Sequence, residues 1–198
     1  FNEKLLDDLN DIFNDLRTKP ISGIILDFRG NQGGRLEFQN NKGEMIYIIE
    51  NLAGYFIAPG NRLYYLITKS QGLREFSSKK SNYGGLFYSI PLIGLMNEKT
   101  ASTAELILGV LKTHNRIILV GQNSQGAGYQ KRIWNFIEDG KQSSLELVIS
   151  PFYLSNGNTF DNEGLNPDPG YEILDNEQVL SKAVDILVKR KGGKRDTP

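Results

Sequence analysis

The stretch NEKTASTAEL (97–106) sets Thr100, Ser102 and Thr103 close together between the apolar run IPLIGLM and a second apolar run. Two chemistries fit it. Ser102-Thr-Ala-Glu105 has the spacing of a capping box, in which the serine hydroxyl and the glutamate carboxylate each bond the other's backbone amide. A serine at a helix N-terminus also suits a nucleophile, because the Thr103 amide and the helix dipole would favour an oxyanion there. Spacing does not separate the two; a partner base would. His114 is the only histidine. It falls near the far end of the same helix, roughly 18 Å along the axis at about 1.5 Å per residue. A Ser–His–Asp triad within this chain is therefore excluded. A Ser–Lys dyad remains open, and it needs a desolvated lysine whose amine is neutral. Lys99 is near in sequence but reads as a solvated turn residue.

A second cluster, LDFRGNQGGR (26–35), fits neither GxGxxG nor GxxxxGK[ST], so a nucleotide loop has weak support. Gly33 and Gly34 suit a turn that needs positive φ. They also suit a bare backbone N–H presented to an anion.

Both clusters need elements to hold them. Residues 3–18 carry Leu5, Leu6, Leu9, Ile12, Phe13 and Leu16 on one helical stripe, with Asn2 as the expected N-cap and Pro20 as the stop. Segments 22–28, 89–96 and 116–121 read as fully buried strands, 62–68 as a further strand, and 69–76 as a turn into a short one. A helix is expected within 40–55, another over 102–113, and an amphipathic closing helix over 175–190. A strand and turn are expected in 145–160. Strands that alternate with helices predict an α/β fold, a largely parallel central sheet with flanking helices. In such sheets, sites gather beyond the carboxyl ends of the strands, where both clusters fall. Residues 1–190 read as one domain and 191–198 as a disordered basic tail.

Composition removes several classes. Of 198 residues, 23 are Lys or Arg and 23 are Asp or Glu, so no global positive field exists for nucleic acid. There is no cysteine, hence no disulfide and no thiolate chemistry. One histidine rules out a His-rich metal site, and no carboxylate loop signature replaces it; no metal or cofactor is expected. No apolar run reaches the ~18 residues of a membrane span. The chain begins at Phe1 without a signal peptide and reads as a piece of a longer protein. Nothing marks an oligomeric state.

Three segments in order, GIILDFRGNQGG, IPLIGLMNEKTASTAELILGVLKTHNRIILVGQNSQGAGYQ and LVISPFYLSNGNTFDNEGLNPD, resemble the carboxyl-terminal processing proteases, also called tail-specific proteases. The resemblance covers residues 3 to 175. It implies a crotonase-like serine protease core that cleaves unfolded or C-terminal protein segments, with an upstream PDZ domain not seen here. An extracytoplasmic location is implied too. On this resemblance Ser102 matches the nucleophile, and the amides of Gly34 and Thr103 match the oxyanion hole. The family's general-base lysine sits in an FGKG loop. Here that loop reads QGAG, so the position is Ala127, which has no titratable group. The family's supporting glutamine aligns with Lys131, and Gln130 sits one short. Ala127 fits an engineered inactivation, a natural pseudo-protease that binds peptides without cutting them, or a base elsewhere. For the last, Lys131 would share a strand face with 127, or a histidine upstream of these residues would serve, as in a tricorn-like branch.

Overall fold

The computed structural model describes residues 4–40, 42–83, 85–138 and 140–192. In chain order it forms α1 (Leu5–Leu16), β1 (Ile24–Asp27), β2 (Glu37–Gln39), β3 (Met45–Tyr47), α2 (Ile48–Ala53), β4 (Arg62–Thr68) and β5 (Gly72–Ser77). Then follow β6 (Leu92–Met96), α3 (Thr103–Thr113), β7 (Ile118–Gly121), β8 (Tyr129–Glu138), β9 (Lys141–Pro151), β10 (Tyr153–Leu154) and α4 (Asn176–Gly192).

The three apolar runs read as fully buried strands make one parallel sheet in the order β1-β6-β7, although the edge strand β1 is only half-buried and ends on the exposed Asp27. Ile25 pairs with Ile93, and Gly94 with Leu119. Strand β6 lies in the middle and is buried along its whole length, so it is apolar on both faces rather than alternating. Its even positions, Leu92 and Met96, join the cluster that contains Leu106 and Leu108 of α3. Its odd positions, Ile93 and Leu95, meet Val179, Ala183 and Ile186 of α4 on the opposite face. Gly94 is glycine because α3 presses there: a Cβ would stand 2.8 Å from a Leu108 methyl and 2.9 Å from one of Ile117. The α/β expectation holds, with a helix on each face.

A second sheet, β10-β4-β5, is antiparallel. It is packed through aromatic rings, including Tyr64 stacked on Phe76 at 4.4 Å. Strands β8 and β9 form a long antiparallel hairpin.

Two sequence expectations change, and a third falls outside the described residues. The helix expected within 40–55 occupies only Ile48–Ala53, because Met45–Tyr47 pairs with Glu37–Gln39 instead. The Asn40 side chain accepts from the amides of Lys42 and Glu44 and so closes a turn that competes with helix. Asn2 lies outside the described residues, and Lys4, at the N-cap of α1, makes no side-chain cap bond among the described residues. Helix α4 runs to Gly192, two residues into the expected tail, and the rest of the tail lies outside the described residues. Among the described residues no helix is long and apolar enough to cross a membrane.

Candidate active site

Loops leave the carboxyl ends of β1, β6 and β7 side by side, and backbone and buried side chains stitch them together. Asn97, directly after β6, is 7% exposed; its Oδ1 accepts from the amides of Gly30 at 2.9 Å and Lys99 at 3.2 Å. The fully buried Thr100 donates its hydroxyl to the Phe28 carbonyl at 2.8 Å and accepts from the Asn97 amide at 3.0 Å. The Ala101 amide donates to the Asn31 carbonyl at 3.0 Å, and the Gln125 amide to the Thr100 carbonyl at 2.9 Å. These bonds hold the turn before α3 rigidly against both neighbouring loops.

Ser102 sits at the head of α3 with φ 57° and ψ −122°. An N-cap residue ordinarily keeps β-region backbone, and a non-glycine residue at positive φ is strained by about 1–3 kcal/mol. Capping alone does not need this geometry. A sharp strand-to-helix turn that lifts a hydroxyl out of the backbone does. Ser102 is half-buried, whereas Thr103 to Leu111 behind it are buried.

The Gly33–Gly34 loop lies on this turn. Gly33 has φ +88°, and a Cβ on it would lie 2.8 Å from both the Ala101 carbonyl oxygen and the Thr103 nitrogen. Only glycine permits that approach. The Thr103 hydroxyl donates to the Gly34 carbonyl at 2.8 Å and ties the loop to the first turn of α3. Gly34 and Thr103, the two residues expected to line an oxyanion hole, are thus in direct contact through that hydroxyl and carbonyl.

Glu105 is the organising residue. It is fully buried, yet four donors reach its carboxylate. The Ser102 amide donates to Oε2 at 2.7 Å, and the Ala127 amide to the same oxygen at 2.9 Å. The Gly126 amide donates to Oε1 at 2.7 Å and the Ser124 hydroxyl at 2.5 Å. Ser124 in turn accepts from the Leu165 amide at 2.6 Å, which draws in the last loop of the domain. A carboxylate buried among apolar residues is tolerated only when its lone pairs are filled, as they are here. The Ser-x-x-Glu spacing foretold the bond to Ser102; nothing local foretold the three donors from residues 124–127.

The other candidates are placed as follows. Ala127 stands beside the Ser102 turn through Glu105. His114 closes α3, with Nδ1 2.9 Å from the Val110 carbonyl. Lys99 is exposed. Lys131 lies on β8, exposed, with its ammonium 3.2 Å from Glu146 and 5.5 Å from the Tyr129 ring centre. Ala127 precedes β8, and the register of the hairpin shifts between Gln130 and Lys131, where β9 carries the extra residue Ile149. At the edge of the site, Arg29 grips Asp27 with its guanidinium and donates to the Asn176 carbonyl at 2.6 Å, which fastens the start of α4. Burial pushes the Asp27 carboxyl up, and the hydrogen bonds and charge of Arg29 outweigh it, so the carboxyl rests below its ordinary range.

The sequence profile of peptidase family S41 matches residues 1–170. The chain is 28% identical over 172 residues to a carboxy-terminal-processing protease of Bartonella bacilliformis, covering 85% of this chain and 36% of that protein. It is 26% identical over 175 residues to the carboxy-terminal processing protease CtpA of Bacillus subtilis, covering 88% and 34%. It therefore spans about a third of the length of the curated relatives it matches. Among solved structures it superposes on a photosystem II D1 C-terminal processing protease with a TM-score of 0.69 at 23% identity, covering 88% of this chain and 40% of the other. A lipoprotein from Streptococcus agalactiae gives 0.66 at 21%, covering 96% and 63%.

Proposed function

The chain belongs to peptidase family S41, and from that membership and the geometry around Ser102 we propose that it is the core of a serine endopeptidase with a crotonase-like fold, acting on unfolded or C-terminal protein segments and disarmed at position 127. The observation that carries the reading is the backbone of Ser102, bent to positive φ at the head of a buried helix and held beside Gly33, Gly34 and Ala127. In this reading the Ser102 hydroxyl attacks a substrate carbonyl and forms an acyl-enzyme. The amides of Gly34 and Thr103 hold the oxyanion, and the dipole of α3 adds to them. A lysine at 127 would take the serine proton. Ala127 has nothing to take it, so the hydroxyl stays protonated and a peptide is bound without being cut. Relatives named as carboxy-terminal processing proteases support the substrate class, and an extracytoplasmic setting is part of the same proposal.

The second reading, a natural peptide-binding pseudo-protease, rests on the same alanine and differs only in whether the parent protein ever cuts. Lys131 is the weaker candidate base, since Glu146 holds its ammonium. The test is incubation of the chain with an unfolded fluorogenic protein, beside Ser102→Ala. No cleavage by either is expected. Cleavage that depends on Ser102 would refute the disarmed state and direct attention to Lys131 or an upstream histidine.

A further inference from the structure

The β8–β9 hairpin carries apolar side chains in water. Strand β8 pairs with β9 alone among the described residues, so its outer edge faces no other strand. Ten residues make that edge roughly 33 Å long at about 3.3 Å per residue. Every residue from Lys131 to Glu138 is exposed. On one face Trp134 is 41% exposed, Phe136 45% and Leu145 48%, with Trp134 directly opposite Leu145. On the other, Ile133 is 59% and Ile137 78% exposed. A long unpaired apolar edge is a template for another strand.

The order of residues along β8 names that strand. The edge starts basic with Arg132, ends acidic with Glu138, and is apolar between them around a central Asn135. We propose that β8 pairs antiparallel with β8 of a second copy of this chain about a two-fold axis at Asn135, joining the two hairpins into a four-stranded sheet. In that register Arg132 faces the partner's Glu138, Trp134 faces the partner's Phe136, and Ile133 faces the partner's Ile137. Opposite charges and aromatic or aliphatic pairs directly across two strands are the stabilising combinations. Parallel self-pairing in register would set Arg132 against Arg132. Moving the axis by one residue sets Arg132 against Phe136 or Trp134 against Glu138. An isologous contact needs self-complementarity, and one register supplies it. The contact is narrow, which puts its affinity in the micromolar range rather than that of an obligate dimer. It does not rest on the enzymatic reading above.

The test is sedimentation velocity of the 198-residue chain between roughly 1 and 200 μM, a span that brackets association through an interface of this size. A monomer–dimer equilibrium is expected. Arg132→Glu and Glu138→Arg should each weaken it at least about tenfold, and the double reversal should recover it, since the swapped charges again face each other. Circular dichroism of each variant checks that the hairpin still folds, because Glu138 also stands opposite Lys141 of its own hairpin. Asn135→Cys gives an independent reading, since the chain has no other thiol. Directly opposite residues in an antiparallel pair lie about 4.5 or 5.5 Å apart at Cα, both within disulfide reach. Oxidation should therefore link that variant into a dimer, and failure to link would overturn the two-fold at Asn135. A chain that stays monomeric throughout, including one whose edge takes up an extended peptide instead, would overturn the proposal. So would a dimer indifferent to both charge reversals.

Discussion

The backbone amides of Ser102 and Ala127 donate to one and the same oxygen, Oε2 of Glu105, at 2.7 and 2.9 Å. Two donors on one acceptor lie less than about 6 Å apart, although the residues are far apart in the chain. The serine turn and the loop that would carry a base are thus fixed to each other through a side chain that belongs to neither. Neighbouring donors from Ser124 and Gly126 occupy the other oxygen, so the carboxylate acts as a clamp rather than as a cap alone.

Glu105→Gln should therefore loosen both loops together. The amide keeps one acceptor oxygen and turns an NH2 donor toward N–H groups that had been accepted. Leaving buried donors unpaired costs about 1–3 kcal/mol each, and breaking a buried charged network about 3–5. Urea denaturation should show a loss of about 2–4 kcal/mol, and hydrogen exchange at the Ser102 and Ala127 amides should rise in concert. A change below about 0.5 kcal/mol, the level of an ordinary surface substitution, would contradict the clamp.

Ser102→Gly separates a strained elbow from a helix cap. An ordinary cap loses a few tenths of a kcal/mol when changed to glycine. Ser102 sits at φ 57°, where glycine is free of Cβ strain, so the substitution should raise stability by roughly 0.5–2 kcal/mol. Thermal and urea unfolding check it, and a fall in stability would return Ser102 to the role of a cap.

Much of this was legible from residue types. Within the runs at 22–28, 89–96 and 116–121, the stretches 24–26, 90–96 and 117–121 carry no polar side chain, a pattern of strands covered on both faces, and they form the parallel strands. Gly33 and Gly34 read as positive-φ positions and are so at +88° and +144°. What they approach was not legible, because the contact with Thr103 closes across the fold. Glu105 shows the same limit: one bond follows from local spacing and three from the return of the chain after β7. The β2–β3 hairpin was missed because an Asx turn at Asn40 outweighed a helical pattern over a short window. The edge of β8 carries its complementarity openly, but only once the hairpin is known to leave that edge unpaired.

Glu50 gives the fold a pH dependence away from the site. It is 5% exposed, and its Oε2 has no hydrogen-bond partner among the described residues. Burial lifts its carboxyl from 4.5 to about 7, against Lys79 and Arg74, which lower it, and with Glu37, which raises it. Below pH 4.5 the folded and unfolded states both hold the proton. Between 4.5 and about 7 the folded state keeps a proton that the unfolded chain has released, so stability falls as pH rises through this window. Above it the full penalty stands, on the order of 1–3 kcal/mol. Glu50→Gln removes the ionisable group, and its advantage over the parent should grow from pH 5 to pH 8 in urea titrations. A constant difference across that range would contradict the assignment.

The most direct measurement is cleavage of an unfolded fluorogenic protein by Ala127→Lys. If Ser102, the Thr103 and Gly34 amides and the Glu105 clamp already form a working site, only the proton acceptor is missing, and a general base is worth about 10²–10⁴-fold in rate. Burial against the loop would favour the neutral amine by lowering its pKa. New proteolysis is expected from Ala127→Lys, none from the parent, and none from Ala127→Lys combined with Ser102→Ala. Because the relatives extend well beyond the matched region, the assay belongs in the longest available form of the protein as well as in this chain. A folded Ala127→Lys protein that cuts nothing in either form, or one that cuts equally well without the Ser102 hydroxyl, would contradict it.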